Sequence, residues 1–513
     1  MSALSGALLA LSFPKFGTSA VAWVALVPLL VALGTQPFSR AALLGLTTGF
    51  VYFAGTVYWI TRVMVVYGGL SLPVAILVNL ALIAYLALFP AIFAMVTARL
   101  VAAGGTPMLM SAPLVWVATE LGRTRLFTGF PWVLLGYSQV ETLPIAQVAS
   151  LFGVYGVSAL VASVSAALAI LMLARVGRER TARTPLVVVV ATVAVVVVWG
   201  SLRIHSGRLV SGGEPVRVGL IQGNVSQDER WGDQRASQIF RDYLTMSQRA
   251  ADKGATFILW PESAMPFRFA ENLASAEVVR GLARGNHATL LFGSDQVDRT
   301  GADNRWYNSA YVVGPDGNTR AVYQKIHLVP FGEYVPLKNL FFFASRLVEA
   351  VSDFSPGTSA TLLPVGDRYA STAICYEVVY PDLVRQFVAG GSQLLTTITN
   401  DAWFGETSAP YQHFAQASMR AIENGRYLVR AANTGISGIV DPYGRVLARG
   451  GLFAPDVIVG DVRFITETTL YTRTGDLFAY LCTLATLLLL VAAWRRYKAA
   501  WRRYKIAPDV QGH

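Results

Sequence analysis

The chain of 513 residues has room for about two to four domains. Hydrophobic side chains make up 54% of it and charged ones only 14%, with a mean hydropathy of +0.46. Soluble domains are usually about a quarter charged, so a wholly soluble protein is excluded and part of the chain sits in lipid.

From the N-terminus, "MSALSGALLALSF" is a short first span rather than a signal peptide, because it lacks a positive leading region. Uncharged stretches at 16–39, 41–61 and 63–98 follow, then 100–119, 142–174 and 185–202, each holding the ~20 apolar residues that a membrane helix needs. The expectation is six or seven spans within residues 1–203 and one more in 476–494. The basic loop "ARVGRERTAR" and the basic tail 495–513 both belong on the cytoplasmic face. Residues 204–475 between these last two spans then lie on the far side, the periplasm of a bacterial inner membrane. Arg123 and Arg125 fall on that same far side, against the usual charge bias.

The net charge of +11 is concentrated as well. The tail "AWRRYKAAWRRYK" holds Arg495, Arg496, Lys498, Arg502, Arg503 and Lys505 beside a span, which suits anionic lipid headgroups better than nucleic acid. The two cysteines, Cys375 and Cys482, cannot form a disulfide framework. The five histidines are scattered without metal-ligand spacing, and no cofactor is expected.

The central segment reads differently. "VRVGLIQGNV", "TFILWPESAM", "TLLFGSDQ", "YNSAYVVGPDG", "RAVYQKIHLV", "ASTAICYE" and "SQLLTTITND" are short β-type runs closed by turn residues. Helical patterns at 234–251, 274–286 and 412–432 alternate with them, which predicts an α/β domain. Three polar residues stand at or just past the ends of apolar runs: Glu262, Lys325 and Cys375. Open α/β sheets carry their ligands at the carboxyl ends of strands, so neighbouring strands would make the three converge. The set suffices for acyl transfer through a thioester, with a thiol nucleophile, a carboxylate base and an ammonium to hold the oxyanion. Taken singly, each has a plainer explanation: an inert core cysteine, a capping carboxylate, an edge-strand lysine.

"WPES" at 260–263, "YQKIHLVPFGEYVP" at 323–336, "ICYEVVYPD" at 374–382, "TNDAWFG" at 399–405 and "RAIENGRYLVRAANTGISGIVDPYG" at 420–444 resemble the nitrilase superfamily. More narrowly, together with "FTGFPWVLLGYSQ" at 127–139, they resemble its membrane branch, the apolipoprotein N-acyltransferases. The resemblance implies an αββα sandwich beside a multi-span helical membrane domain. It implies a Glu262–Lys325–Cys375 triad, with Glu333, Tyr376 and Glu377 supporting it and Trp231 at the site entrance. The donor would be a phospholipid, typically phosphatidylethanolamine, and the acceptor the α-amine of diacylglyceryl-cysteine on an apolipoprotein. Phe341 and Phe342, in "LKNLFFFASRLVEAV", would form a lid that meets acyl chains, or else a buried helix of the sandwich. Two other functions stay open: a membrane-tethered amidase with water as acceptor, and a transporter or receptor. The near absence of charge inside the spans counts against a transporter or receptor.

Overall fold

The computed structural model describes all residues except 35, 178–182, 227–232, 302–303, 335–353 and 507–513. The apolar N-terminal part forms helices α1 (Ser2–Leu11), α2 (Ser19–Ala25), α3 (Val27–Ala32), α4 (Phe38–Val57), α5 (Trp59–Val66), α6 (Leu72–Gly104), α7 (Ala112–Arg125), α8 (Ala149–Gly177) and α9 (Arg183–Ser206). Among the described residues five helices are long and apolar enough to cross a membrane: α4, α6, α8, α9 and the C-terminal helix Leu477–Ile506. The stretch 16–39 does not form one continuous span. Pro28, which has no N–H to continue a helix, opens α3 and separates it from α2. The stretch 100–119 is likewise divided, at Gly105 (φ +78°), before the 3₁₀ turn Thr106–Ser111.

Close crossings of small residues hold the bundle. Gly45 and Gly49 lie four apart on α4 and face α6, where Pro90 sits inside the helix. A Cβ at Gly45 would lie 2.4 Å from the Pro90 carbonyl oxygen, so the backbones touch.

Arg123 and Arg125 both have partners within the fold. Buried Arg123 donates to the Trp132 and Val133 carbonyls of the following loop. Arg125 pairs with Asp382 at 3.0 Å and Asp476 at 2.6 Å, which ties α7 to the sheet domain and to the start of the C-terminal helix.

The remaining chain is a two-sheet sandwich. Its strands are β1 (Glu214–Gln222), β2 (Phe257–Leu259), β3 (Thr289–Asp298), β4 (Arg305–Val313), β5 (Thr319–Gln324), β6 (Leu363–Val365), β7 (Arg368–Ile374), β8 (Leu394–Thr399), β9 (Leu428–Ala432), β10 (Gly438–Val440), β11 (Val446–Arg449) and β12 (Asp456–Phe464). One sheet runs β12-β1-β2-β3-β4-β5 and the other β11-β10-β9-β8-β7-β6. The central pairs β1/β2, β2/β3, β7/β8 and β8/β9 are parallel, as crossover helices require. Leu220, Leu259, Leu291 and Val312 of the first sheet meet Ile374, Ile398 and Val429 of the second in the central core.

Helices α10 (Asp233–Asp252) and α11 (Leu273–Gly285) cover the first sheet through Ile239, Tyr243 and Val279. Helices α12 (Pro381–Ala389) and α13 (Ala409–Asn424) cover the second. Part of their outer surface packs on the membrane domain: Val384 and Ile422 join the same apolar core as Leu134, Tyr137 and Val154. The expected αββα sandwich is present, and its α12/α13 layer lies on the helical bundle.

The expected helix 412–432 is shorter in the structure. Gly425, in the left-handed region at φ +61°, ends α13, and Leu428–Ala432 becomes β9. That strand is buried on both faces between β8 and β10, so its sequence lacks the alternation that marks a half-exposed strand.

Candidate active site

Cys375 follows β7 directly, at the start of the 3₁₀ turn Cys375–Val379. Its φ of +52° places a non-glycine residue in the left-handed region, a sharp strand-to-turn elbow that costs on the order of 1–3 kcal/mol and needs surrounding bonds to hold it. Two residues supply them. Glu377 accepts the Ile374 N–H at 2.7 Å. Its other carboxylate oxygen accepts the Ile326 and His327 N–H groups at 2.7 and 3.1 Å and the Tyr323 hydroxyl at 2.7 Å. One buried side chain therefore joins the cysteine elbow to the segment that follows Lys325. On the other side, His413 Nε2 donates to the Cys375 carbonyl at 3.1 Å.

Glu262 and Lys325 arrive from the facing sheet. Glu262 lies just past β2, and its backbone passes so close to Gly293 that a Cβ there would sit 2.7 Å from the Glu262 Cα. Lys325 lies one residue past β5, its N–H donating to Asn308 O at 2.9 Å. Lys325 Nζ donates to Glu333 at 2.8 Å and to Glu262 at 3.3 Å, and Asn308 Nδ2 reaches both carboxylates at 2.8 Å. The second oxygen of Glu262 accepts the Asn400 N–H at 3.0 Å, and that of Glu333 accepts the Val329 N–H at 2.7 Å. All of these side chains are buried.

The electrostatics follow. Burial alone would lower the Lys325 ammonium, but Glu333 and then Glu262 outweigh it and hold it well above the usual lysine range. Burial, helped by Glu262, pushes the Cys375 thiol well above its usual range despite Lys325. The resting site therefore holds a neutral thiol beside the ammonium of Lys325. Ionising the thiol to solvent would add a further negative charge. Passing its proton to Glu262 leaves the total unchanged and places the thiolate beside Lys325.

Tyr376 faces the membrane domain, with its ring stacked on Trp132 at 6.4 Å and 21°. Tyr380 stands beside it and donates to the Gly129 carbonyl at 3.0 Å. His327, which burial and Lys325 push down to about 4, is a neutral ring 3.8 Å from Tyr380. The elbow thus faces an aromatic wall shared with the "FTGFPW" loop.

Six of the nine residues expected at the site come together: Glu262, Lys325, Cys375, Glu333, Tyr376 and Glu377. Trp231, Phe341 and Phe342 lie outside the described residues. Several others were not anticipated. Asn308 bridges the two carboxylates from within β4. Asp401, just past β8, stands with its carboxylate 3.0 Å from His413 Nδ1 and accepts from Arg430 at 2.8 Å. Burial would raise Asp401, but the Arg430 guanidinium outweighs it and holds it well below the usual carboxylate range. His413 is lowered by burial and by Arg430; its neutral ring donates through Nε2, leaving Nδ1 to accept from Arg430 at 3.0 Å. Asn400 and Asp401 close a strand end as Glu262 and Cys375 do, so the same signal marks them.

Glu377 carries a pH signature. Burial pushes its carboxyl up to about 7 from an ordinary 4.5, so the folded state binds an extra proton between those values. Its contribution to stability is complete on the acid side and falls as pH rises through that window. Glu377→Gln cannot titrate and leaves buried donors facing an amide. The variant should be destabilised most at about pH 5, and its deficit should narrow by up to roughly 3 kcal/mol by about pH 8. Thermal unfolding in detergent at the two pH values checks this, and a deficit that widened with pH would contradict it.

Facing sheets that bring a glutamate, a lysine and a cysteine together between helical layers define a nitrilase-type sandwich. A family model described as carbon-nitrogen hydrolase matches residues 217–469, and one described as apolipoprotein N-acyltransferase N-terminal domain matches residues 5–167. The chain is 41% identical over 502 residues to an apolipoprotein N-acyltransferase of Geobacter metallireducens, covering 97% of this chain and 95% of the relative. It is 35% identical over 480 residues to the protein of that description from Methylococcus capsulatus, covering 92% and 91% of the two chains. A solved amidase from Nesterenkonia sp. is similar at 24% identity and a TM-score of 0.39, covering 53% of this chain and 98% of that one. The chain belongs to the apolipoprotein N-acyltransferase family.

Proposed function

We propose that the protein moves an acyl chain from a membrane phospholipid, such as phosphatidylethanolamine, to the α-amine of a diacylglyceryl-cysteine at an apolipoprotein N-terminus, through a thioester on Cys375. The observation that carries this reading is the seating of the Cys375–Tyr376 elbow against the aromatic loop of a membrane bundle, within a family described by that transfer. A nucleophile placed there meets lipid-borne esters and lipid-anchored amines.

In the first half-reaction Glu262 takes the thiol proton as sulfur attacks the ester carbonyl. Lys325 donates to the oxyanion, and Glu262 returns the proton to the leaving lysophospholipid oxygen. In the second, the amine attacks the thioester, Glu262 removes its proton, and the thiolate leaves and is reprotonated as the amide forms. Glu333 keeps Lys325 charged and aimed, and Glu377 holds the elbow. Residues 1–203 and 476–494 serve as the membrane part, 204–475 as the catalytic domain on the periplasmic side of the inner membrane, and 495–513 as the cytoplasmic tail.

The test is to supply phosphatidylethanolamine and a synthetic diacylglyceryl-cysteine peptide in micelles and weigh the peptide. A peptide heavier by one acyl chain, with its amine blocked, is the expected result. Free fatty acid with an unchanged peptide would show that water is the acceptor and would overturn the transferase reading.

A further inference from the structure

Arg62 lies in α5, one turn beyond Trp59, whose ring packs on Phe404 at 4.9 Å. It is exposed, and its guanidinium lies flat on Gly405, where a Cβ would come within 2.4 Å of Nε. Gly405 sits at φ +57°, so this turn both requires glycine and leaves room for the guanidinium plane. The next residue, Glu406, is exposed as well. Arg62, Gly405, Glu406, Thr407 and Phe453 line a cavity of about 300 Å³.

Among the described residues Arg62 and Glu406 have no ion pair or hydrogen bond to each other or to any other side chain. Arg123 and Arg125, at the same end of the bundle, are both tied to acceptors. A guanidinium and a carboxylate left apart on one cavity wall match a ligand that carries a phosphate and a primary ammonium on a short linker.

The position suits a lipid. Arg62 follows the end of the span α4, and the turn it rests on continues from Asn400 and Asp401. Asn400 binds Glu262, and Asp401 contacts the histidine that holds the Cys375 carbonyl. A headgroup seated on the outer side of this turn is at the rim of the site, with its acyl chains directed toward the bilayer.

We infer that Arg62 and Glu406 form the seat for the zwitterionic headgroup of the acyl donor, with phosphate on Arg62 and ammonium on Glu406. This rests on a phospholipid being the donor. The seat contributes to donor binding and to headgroup choice, and the chemistry at Cys375 is untouched by it.

The experiment measures acylation of Cys375 by intact mass at varied donor in mixed micelles, comparing phosphatidylethanolamine with phosphatidylglycerol of the same chains. Arg62→Ala should raise the half-saturating concentration of both lipids roughly fivefold to tenfold at unchanged maximal rate. Glu406→Gln should raise it for phosphatidylethanolamine alone. Free phosphoethanolamine should compete in the unaltered protein and lose that effect in both variants; competition without a lipid preference would assign the seat to a soluble phosphate and overturn the inference. Unchanged half-saturation in both variants would overturn it too. If neither lipid acylates the unaltered protein, the donor assignment fails and the seat fails with it, whereas acylation with unaltered headgroup preference sinks the seat alone.

Discussion

Lys325→Met is expected to lose acylation of Cys375 by at least roughly 100-fold and to destabilise the protein by about 3–5 kcal/mol. Lys325 is the cation between Glu262 and Glu333, which among the described residues otherwise share only Asn308 as a side-chain donor. Without it two buried carboxylates face each other, and one takes up a proton well above its ordinary range. That raised acid sets the sign of the pH dependence: the variant's stability is greatest at acid pH and declines as pH rises through the new ionisation. Lys325→Met combined with Glu333→Gln removes one of the two charges and should recover much of the stability with no activity. Thermal unfolding and acyl-adduct formation, read on the same samples, separate the two effects. A single variant that acylates within tenfold of the unaltered protein would remove Lys325 from the chemistry.

Glu262→Gln tests the base. The amide keeps the shape of the side chain and can still accept from Lys325, while one end meets the Asn400 N–H and costs about 1–3 kcal/mol. Acylation should fall roughly 100- to 10,000-fold, the usual range for a positioned general base. Raising the pH should restore it only in part, because burial holds the Cys375 thiol well above its usual range and the thiolate stays a minor species. Full recovery of the unaltered rate by about pH 9 would instead show a thiolate that forms readily without Glu262, and the proton transfer to Glu262 would be wrong.

Glu262, Lys325 and Cys375 were visible in the sequence because each ends an apolar run, and a polar residue at a strand end is a local signal. Asn308 carries no such signal. It sits within β4, and its use depends on the glutamates of two other segments. His413 was hidden by the burial of its helix: every residue of α13 except Tyr411 is buried, between the second sheet and the bundle, so no polar face marks it. The loop 126–132 and α12 come together only in the folded chain, through Arg125–Asp382 and Tyr380–Gly129. Composition told that there are spans and a separate α/β domain, but not that the sandwich lies directly on the bundle.

The most direct test is the intact mass of the purified protein after incubation with phosphatidylethanolamine and no acceptor, before and after hydroxylamine. A gain of one acyl chain that hydroxylamine removes, that is absent in Cys375→Ala, and that passes to an added diacylglyceryl-cysteine peptide is the predicted result. Transfer to the peptide by Cys375→Ala, or by unaltered protein that never carries an acyl chain, would contradict the thioester route.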